Sequence, residues 1–77
     1  MNDVRKTKHC LDCIDATATF AKSTLNKLGV VQSRLLAIGE EDAAAEIDLL
    51  IDQQNEVWTA LCRIHKDITS ELKAATA

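Results

Sequence analysis

Residues 37–44 read AIGEEDAA, and the fold depends on how that stretch is read. Gly39 is one of only two glycines in the chain, and glycine is the residue that most readily takes the left-handed conformation ending a helix. Glu40, Glu41 and Asp42 follow it directly. Acids suit the positive end of a helix dipole, so these three mark the first turn of a new helix. The stretch therefore predicts one helix over about 4–38, a turn at about 39–40, and a second helix over about 41–74. A connection this short makes the two helices antiparallel neighbours.

The flanking segments agree. Before the turn, Leu11, Ile14, Ala18, Ala21, Leu25, Leu28, Gln32 and Leu35 recur at alternating spacings of three and four; after it, Ile47, Leu50, Gln54, Val57, Leu61, Ile64 and Ile68 do the same. That spacing puts each set on one helical stripe. Each stripe is broken by a glutamine, Gln32 and Gln54, and a polar residue in a seam fixes register or subunit number at some cost in stability. Proline is absent, and Ala, Leu, Lys, Glu and Gln are good helix formers. Gly29, in LNKLGVV, is where the first helix would bend or break, since an interior glycine costs about 1 kcal/mol relative to alanine. The 77 residues thus predict a single all-α domain over 1–77, an antiparallel hairpin of two long helices.

A second apolar stripe flanks the first. On helix one it runs Cys10, Cys13, Thr17, Phe20, Thr24, Val31; on helix two, Ile51, Trp58, Cys62, His65, Leu72. A lone hairpin buries one stripe per helix, so the surplus needs a cover, and a second copy supplies it by forming a four-helix bundle or a larger oligomer. A chain this short also buries only about 60% of its unfolded surface and commonly needs a partner subunit, a metal or disulfides. Phe20 and Trp58 are the only aromatic residues, and folding about Gly39 brings them to nearly the same level. They are expected as an aromatic contact in the core or dimer seam, with anchoring of a protein partner as the alternative. Phe20, Trp58, Gln32 and Gln54 are therefore the candidate interface residues.

Charge is divided unevenly. Up to Leu36 there are six basic residues (Arg5, Lys6, Lys8, Lys22, Lys27, Arg34) against Asp3, Asp12 and Asp15; beyond it there are nine acids against Arg63, Lys66 and Lys73. Seven of those acids lie between Glu40 and Glu56 with no base among them. The halves can pair within a hairpin or across a dimer, and the ordinary account of such runs is a solvated helix face.

All three cysteines and both histidines fall in two clusters, KHCLDC (8–13) and LCRIH (61–65). Cys10 and Cys13 sit one helical turn apart, as do Cys62 and His65, and the hairpin brings the start of helix one near the end of helix two. Three thiolates and an imidazole suit tetrahedral Zn²⁺, which would close the open end of the hairpin as a structural metal. Packing as small apolar residues and a redox role for the C-x-x-C pair are the other readings; His9 points aside or substitutes as a ligand. An odd number of cysteines argues against a secreted disulfide framework, and the chain reads as cytoplasmic, with no secretory leader and no apolar run of the ~18 residues needed to cross a membrane.

There is no glycine-rich phosphate loop and no G-x-S-x-G, and two helices with a short turn offer no catalytic cleft. Two classes of function remain. One is a small protein-binding regulator or inhibitor acting as a helical-hairpin oligomer, with an adaptor stabilised by zinc or sensing redox state as a variant of it. The other is nucleic-acid binding through Lys8, Lys22, Lys27 and Arg34 on helix one. The segments ATFAKS (18–23) and NEVW (55–58) resemble stretches of the Rop family of plasmid copy-number regulators. That resemblance implies an antiparallel hairpin dimer binding paired RNA loops. Phe20 matches the family's RNA-contacting positions, whereas Ala16, Thr24 and Val31 stand where polar and basic residues are expected.

Overall fold

The computed structural model describes residues 4–76. Helix α1 spans Val4–Ala37 and helix α2 spans Glu41–Thr76; no strand occurs among the described residues. The helices pack side by side as the antiparallel hairpin that the turn predicts, 56 × 14 × 14 Å overall. Helix α1 is one continuous helix through Gly29, and α2 extends two residues beyond its expected end.

The turn closes as its sequence dictates. Gly39 has φ of 82°, a conformation in which a side chain would crowd the backbone. Its N–H donates to the Leu36 carbonyl at 3.1 Å, and the Glu40 N–H donates to the Leu35 carbonyl at 2.9 Å. This pair of bonds is a Schellman ending, which satisfies carbonyls left over at the helix end. The Ala44 N–H then donates to the Glu40 carbonyl at 3.0 Å, which starts α2.

Register follows from two contacts beyond the turn. The Gln32 side-chain amide donates to the Ala44 carbonyl at 3.2 Å and to Asp48 Oδ1 at 3.3 Å. The Lys22 ammonium lies 4.6 Å from the centroid of the Trp58 ring. Residue i therefore sits level with roughly residue 79 − i, and the seam is a stack of layers in which a first-type position faces a fourth-type one. Leu11 opposes Ile68, Ile14 opposes His65, Ala18 opposes Leu61 and Ala21 opposes Trp58. Nearer the turn, Leu28 opposes Ile51 and Gln32 opposes Ile47. All of these side chains are buried or half-buried.

On α1 this is the expected seam. On α2 it is not. Leu50, Val57 and Ile64, expected inside, are 46%, 47% and 39% exposed, and their neighbours Ile51, Trp58 and His65 face α1. The two stripes differ by one residue, about 100° of rotation. The choice follows from α1. Alanines at 18 and 21 leave a notch opposite residue 58, and a tryptophan there removes about 150–250 Å² from water, more than a valine can.

The resulting core is thin. Among the described residues only Leu11, Ala18, Ala21 and Ala44 are buried, and three of the four are alanines. The radius of gyration is 17.3 Å, against about 11.5 Å for a compact chain of this length. The surface of 5832 Å² exceeds the roughly 4,600 Å² of a compact protein of this mass.

Candidate functional site

In an antiparallel helix pair the residues flanking the seam form two edges, each built from both helices. One edge carries Asp15, Lys22, Gly29 and Leu36 of α1 with Asp48, Asn55, Cys62 and Thr69 of α2, and it is polar apart from Leu36 near the turn. A shallow groove runs along it, with Asp15, Lys22, Trp58 and Cys62 among its lining residues.

The other edge is apolar. Helix α1 contributes Cys10, Thr17, Thr24, Val31 and Ile38, the last just past its end; α2 contributes Ala43, Leu50, Val57 and Ile64. At the same levels, Val31 lies beside Leu50, Thr24 beside Val57, and Thr17 beside Ile64. Cys13, Phe20, Lys27 and Arg34 flank this row on α1, and Glu46, Gln53, Ala60 and Asp67 flank it on α2. Among the described residues, six of the ten large apolar side chains left exposed belong to this edge or its flank: Phe20, Val31, Ile38, Leu50, Val57 and Ile64. Phe20 is 72% exposed, a costly placement for the chain's only phenylalanine. The threonines do not break the row. Thr17 and Thr24 donate their hydroxyls to the carbonyls of Cys13 and Phe20 at 2.8 and 3.0 Å. With the hydroxyl held by its own helix, what each offers outward is a methyl group.

The candidate interface residues thus separate. Phe20 stands on the outer surface, while Trp58 is half-buried in the seam, so the aromatic pair is not formed inside one chain. Gln32 performs the register function expected of a polar seam residue, through its bonds to Ala44 and Asp48. Gln54 is half-buried in the seam opposite Leu25. On α1, the second stripe read from the sequence is the exposed edge; on α2, Ile51, Trp58 and His65 of the second stripe take the seam places expected of Leu50, Val57 and Ile64. The exposed trio Leu50, Val57 and Ile64 was legible as an apolar row but not as the outward one.

The four candidate zinc ligands are not brought together. Cys10 and Cys13 lie on the apolar edge, Cys62 on the polar edge, and His65 in the seam between them. Among the described residues no three His, Cys, Asp or Glu side chains come close enough to hold a metal ion. The one contact within the clusters is Cys13 Sγ to His9 Nε2, at 3.9 Å along a single helix face. All three thiols are free and exposed. The donor set therefore does not fit a closed tetrahedral site within one chain.

The four basic candidates form two stripes. Lys8 and Lys22 lie toward the polar edge, whereas Lys27 and Arg34 lie in line with Phe20 beside the apolar one, about 80–140° away around the helix. Lys22 is also engaged over the Trp58 ring. Among the described residues no helix is long and apolar enough to cross a membrane.

No known protein family matches the chain, and no characterised protein or solved structure is significantly similar to it. The resemblance to the Rop family therefore rests on the two short segments that suggested it.

Proposed function

We propose that this chain works as a homo-oligomeric helical hairpin, a cytoplasmic protein-binding regulator or inhibitor without catalysis of its own. One observation carries the reading: an apolar edge runs from the turn to Ile64, before Glu71 ends the row on α2, along a hairpin whose own core holds a single large residue and three alanines. Apolar rows of this extent on small soluble chains mark association surfaces. Self-association supplies the missing core, and the acids of the Glu40 to Glu56 run that lie away from the apolar edge then stay outward, available to a basic protein partner. Sedimentation equilibrium and native mass spectrometry across nanomolar to millimolar concentrations test the first step. A folded monomer that persists at micromolar concentration would overturn it.

A second reading, RNA binding, is favoured by one placement: exposed Phe20 shares a line with Lys27 and Arg34 at heptad spacing. Aromatic stacking beside phosphate-neutralising side chains is the usual chemistry of such contacts. A gel shift with structured RNA that weakens with salt and is lost on Lys27→Glu would favour it. A shift unchanged by Lys22→Glu and Lys27→Glu would remove helix one from consideration.

A further inference from the structure

Two-fold symmetry lets a second hairpin cover the apolar edge in only two ways. If the turns lie at opposite ends, α1 packs on α1 and α2 on α2. If the turns lie at the same end, α1 packs on the partner's α2, and the levels of the single hairpin carry over unchanged, because the axis runs along the bundle. Both arrangements bury the apolar row. The flanking residues distinguish them.

With the turns at opposite ends, Glu46 meets Asp67 of the partner subunit, acid against acid, and Lys27 faces the ring of Phe20 of the partner subunit. The basic halves of the two α1 helices also lie side by side. With the turns together, Arg34 comes level with Glu46 of the partner subunit, and the basic stretch of α1 runs beside the acidic start of the partner's α2. Phe20 falls level with Ala60 of the partner subunit, a ring over the smallest side chain in that row. Arg34, Glu46 and Phe20 are all exposed in the single chain.

We infer that the occupant of the apolar edge is a second copy docked with its turn at the same end, α1 against the partner's α2, paired through Arg34 and Glu46 and keyed by Phe20 over Ala60. This rests on the self-association proposed above and adds its geometry. Like charges directly opposed across a packed edge disfavour the alternative, and complementary ones fix orientation.

The experiment has two arms. In the first, Arg34→Glu and Glu46→Arg are each expected to weaken the dimer roughly tenfold, since each places two like-charge pairs at the rim, and the double variant restores it. In the opposite-end arrangement Glu46→Arg would instead strengthen the dimer by meeting Asp67 of the partner subunit. In the second arm, Ala37→Cys is spin-labelled in a chain with Cys10, Cys13 and Cys62 changed to serine, after circular dichroism and native mass confirm a helical dimer. Turns at the same end give a separation of about 20 Å, and turns at opposite ends about 40 Å or more, at ~1.5 Å per residue. A dimer with the long distance and a strengthened Glu46→Arg variant overturns this geometry while leaving association intact. A parent chain that stays monomeric overturns both.

Discussion

Replacing Trp58 by alanine tests the register on which the fold depends. The ring is half-buried, lies level with Ala21, which is 2% exposed, and carries the Lys22 ammonium 4.6 Å from its centroid. Full burial would make the truncation cost about 3–5 kcal/mol; half burial leaves about 2. The cation over an accessible ring adds about 0.5–1 kcal/mol. The loss of about 2–3 kcal/mol compares with a total of roughly 4–11 for a chain of this length. With a urea slope near 1 kcal/mol/M, the midpoint should fall by about 2–3 M. Parent and variant must be compared at one protein concentration, since association contributes to the midpoint. The sharper readout is a double-mutant cycle. Ala21→Leu alone overfills the notch and destabilises by about 1–3 kcal/mol. In the Trp58→Ala background it fills vacated space, so the pair is expected to couple by about 1 kcal/mol or more. An unmoved midpoint for Trp58→Ala, or strict additivity with Ala21→Leu, would refute the seam. It would put the Leu50–Val57–Ile64 stripe inside instead.

The two glycines are expected to respond in opposite directions. A Cβ at Gly29 meets nothing within 4 Å, so Gly29→Ala should stabilise α1 by about 0.5–1 kcal/mol in urea melts; Gly39→Ala, at φ of 82°, should destabilise by about 1–2 kcal/mol. Thiol labelling of the native protein should modify Cys62 on the polar edge faster than Cys10 and Cys13, which a docked copy covers; equal rates at high protein concentration would argue that the edge is open. Elemental analysis of the purified chain should find no zinc held by Cys10, Cys13, Cys62 and His65 of one chain, and Cys13→Ser should leave the melting temperature within a few degrees. Stoichiometric zinc lost in that variant would show that ligands converge from more than one copy.

The hairpin was legible because its signals are local. A left-handed glycine followed by three acids needs no tertiary context to end one helix and start another, and the Gly39 turn forms where that signal lies. Apolar spacing named the α1 seam residue by residue, since no neighbouring stripe on that helix is as continuous. Helix α2 offered two stripes of nearly equal quality, 50/57/64 and 51/58/65. Periodicity cannot rank them. The decision sits on the other helix, in the size of residues 18 and 21, and becomes visible only when levels are paired across the turn. Length also helped: with helices of 34 and 36 residues, a shift of one residue at the turn would misalign every layer, and the Gln32 bonds to Ala44 and Asp48 hold that register.

The cysteine clusters show the opposite case. One-turn spacing within each pair is a statement about one helix, whereas a metal site is a statement about two. Cys10 and Cys13 flank the α1 seam on one side. Cys62, one turn further along α2 than Trp58, flanks the seam on the other side, and His65 lies in the seam with the ring. The rotation that turns Trp58 inward sets Leu50, Val57 and Ile64 beside Thr17, Thr24 and Val31. The apolar edge follows from that rotation, whereas the separation of Cys62 from Cys10 and Cys13 does not, because at about 100° per residue Cys62 stays on the polar side of either seam. A variant that rotates α2 back should therefore remove the edge without assembling the four ligands. Exchanging the residues at 57 and 58, Val57→Trp with Trp58→Val, removes the reason for the present seam. Its expected signatures are a weaker dimer and a Cys62 thiol that remains open to labelling. Loss of helix by circular dichroism would mean instead that the notch at Ala18 and Ala21 admits no other partner.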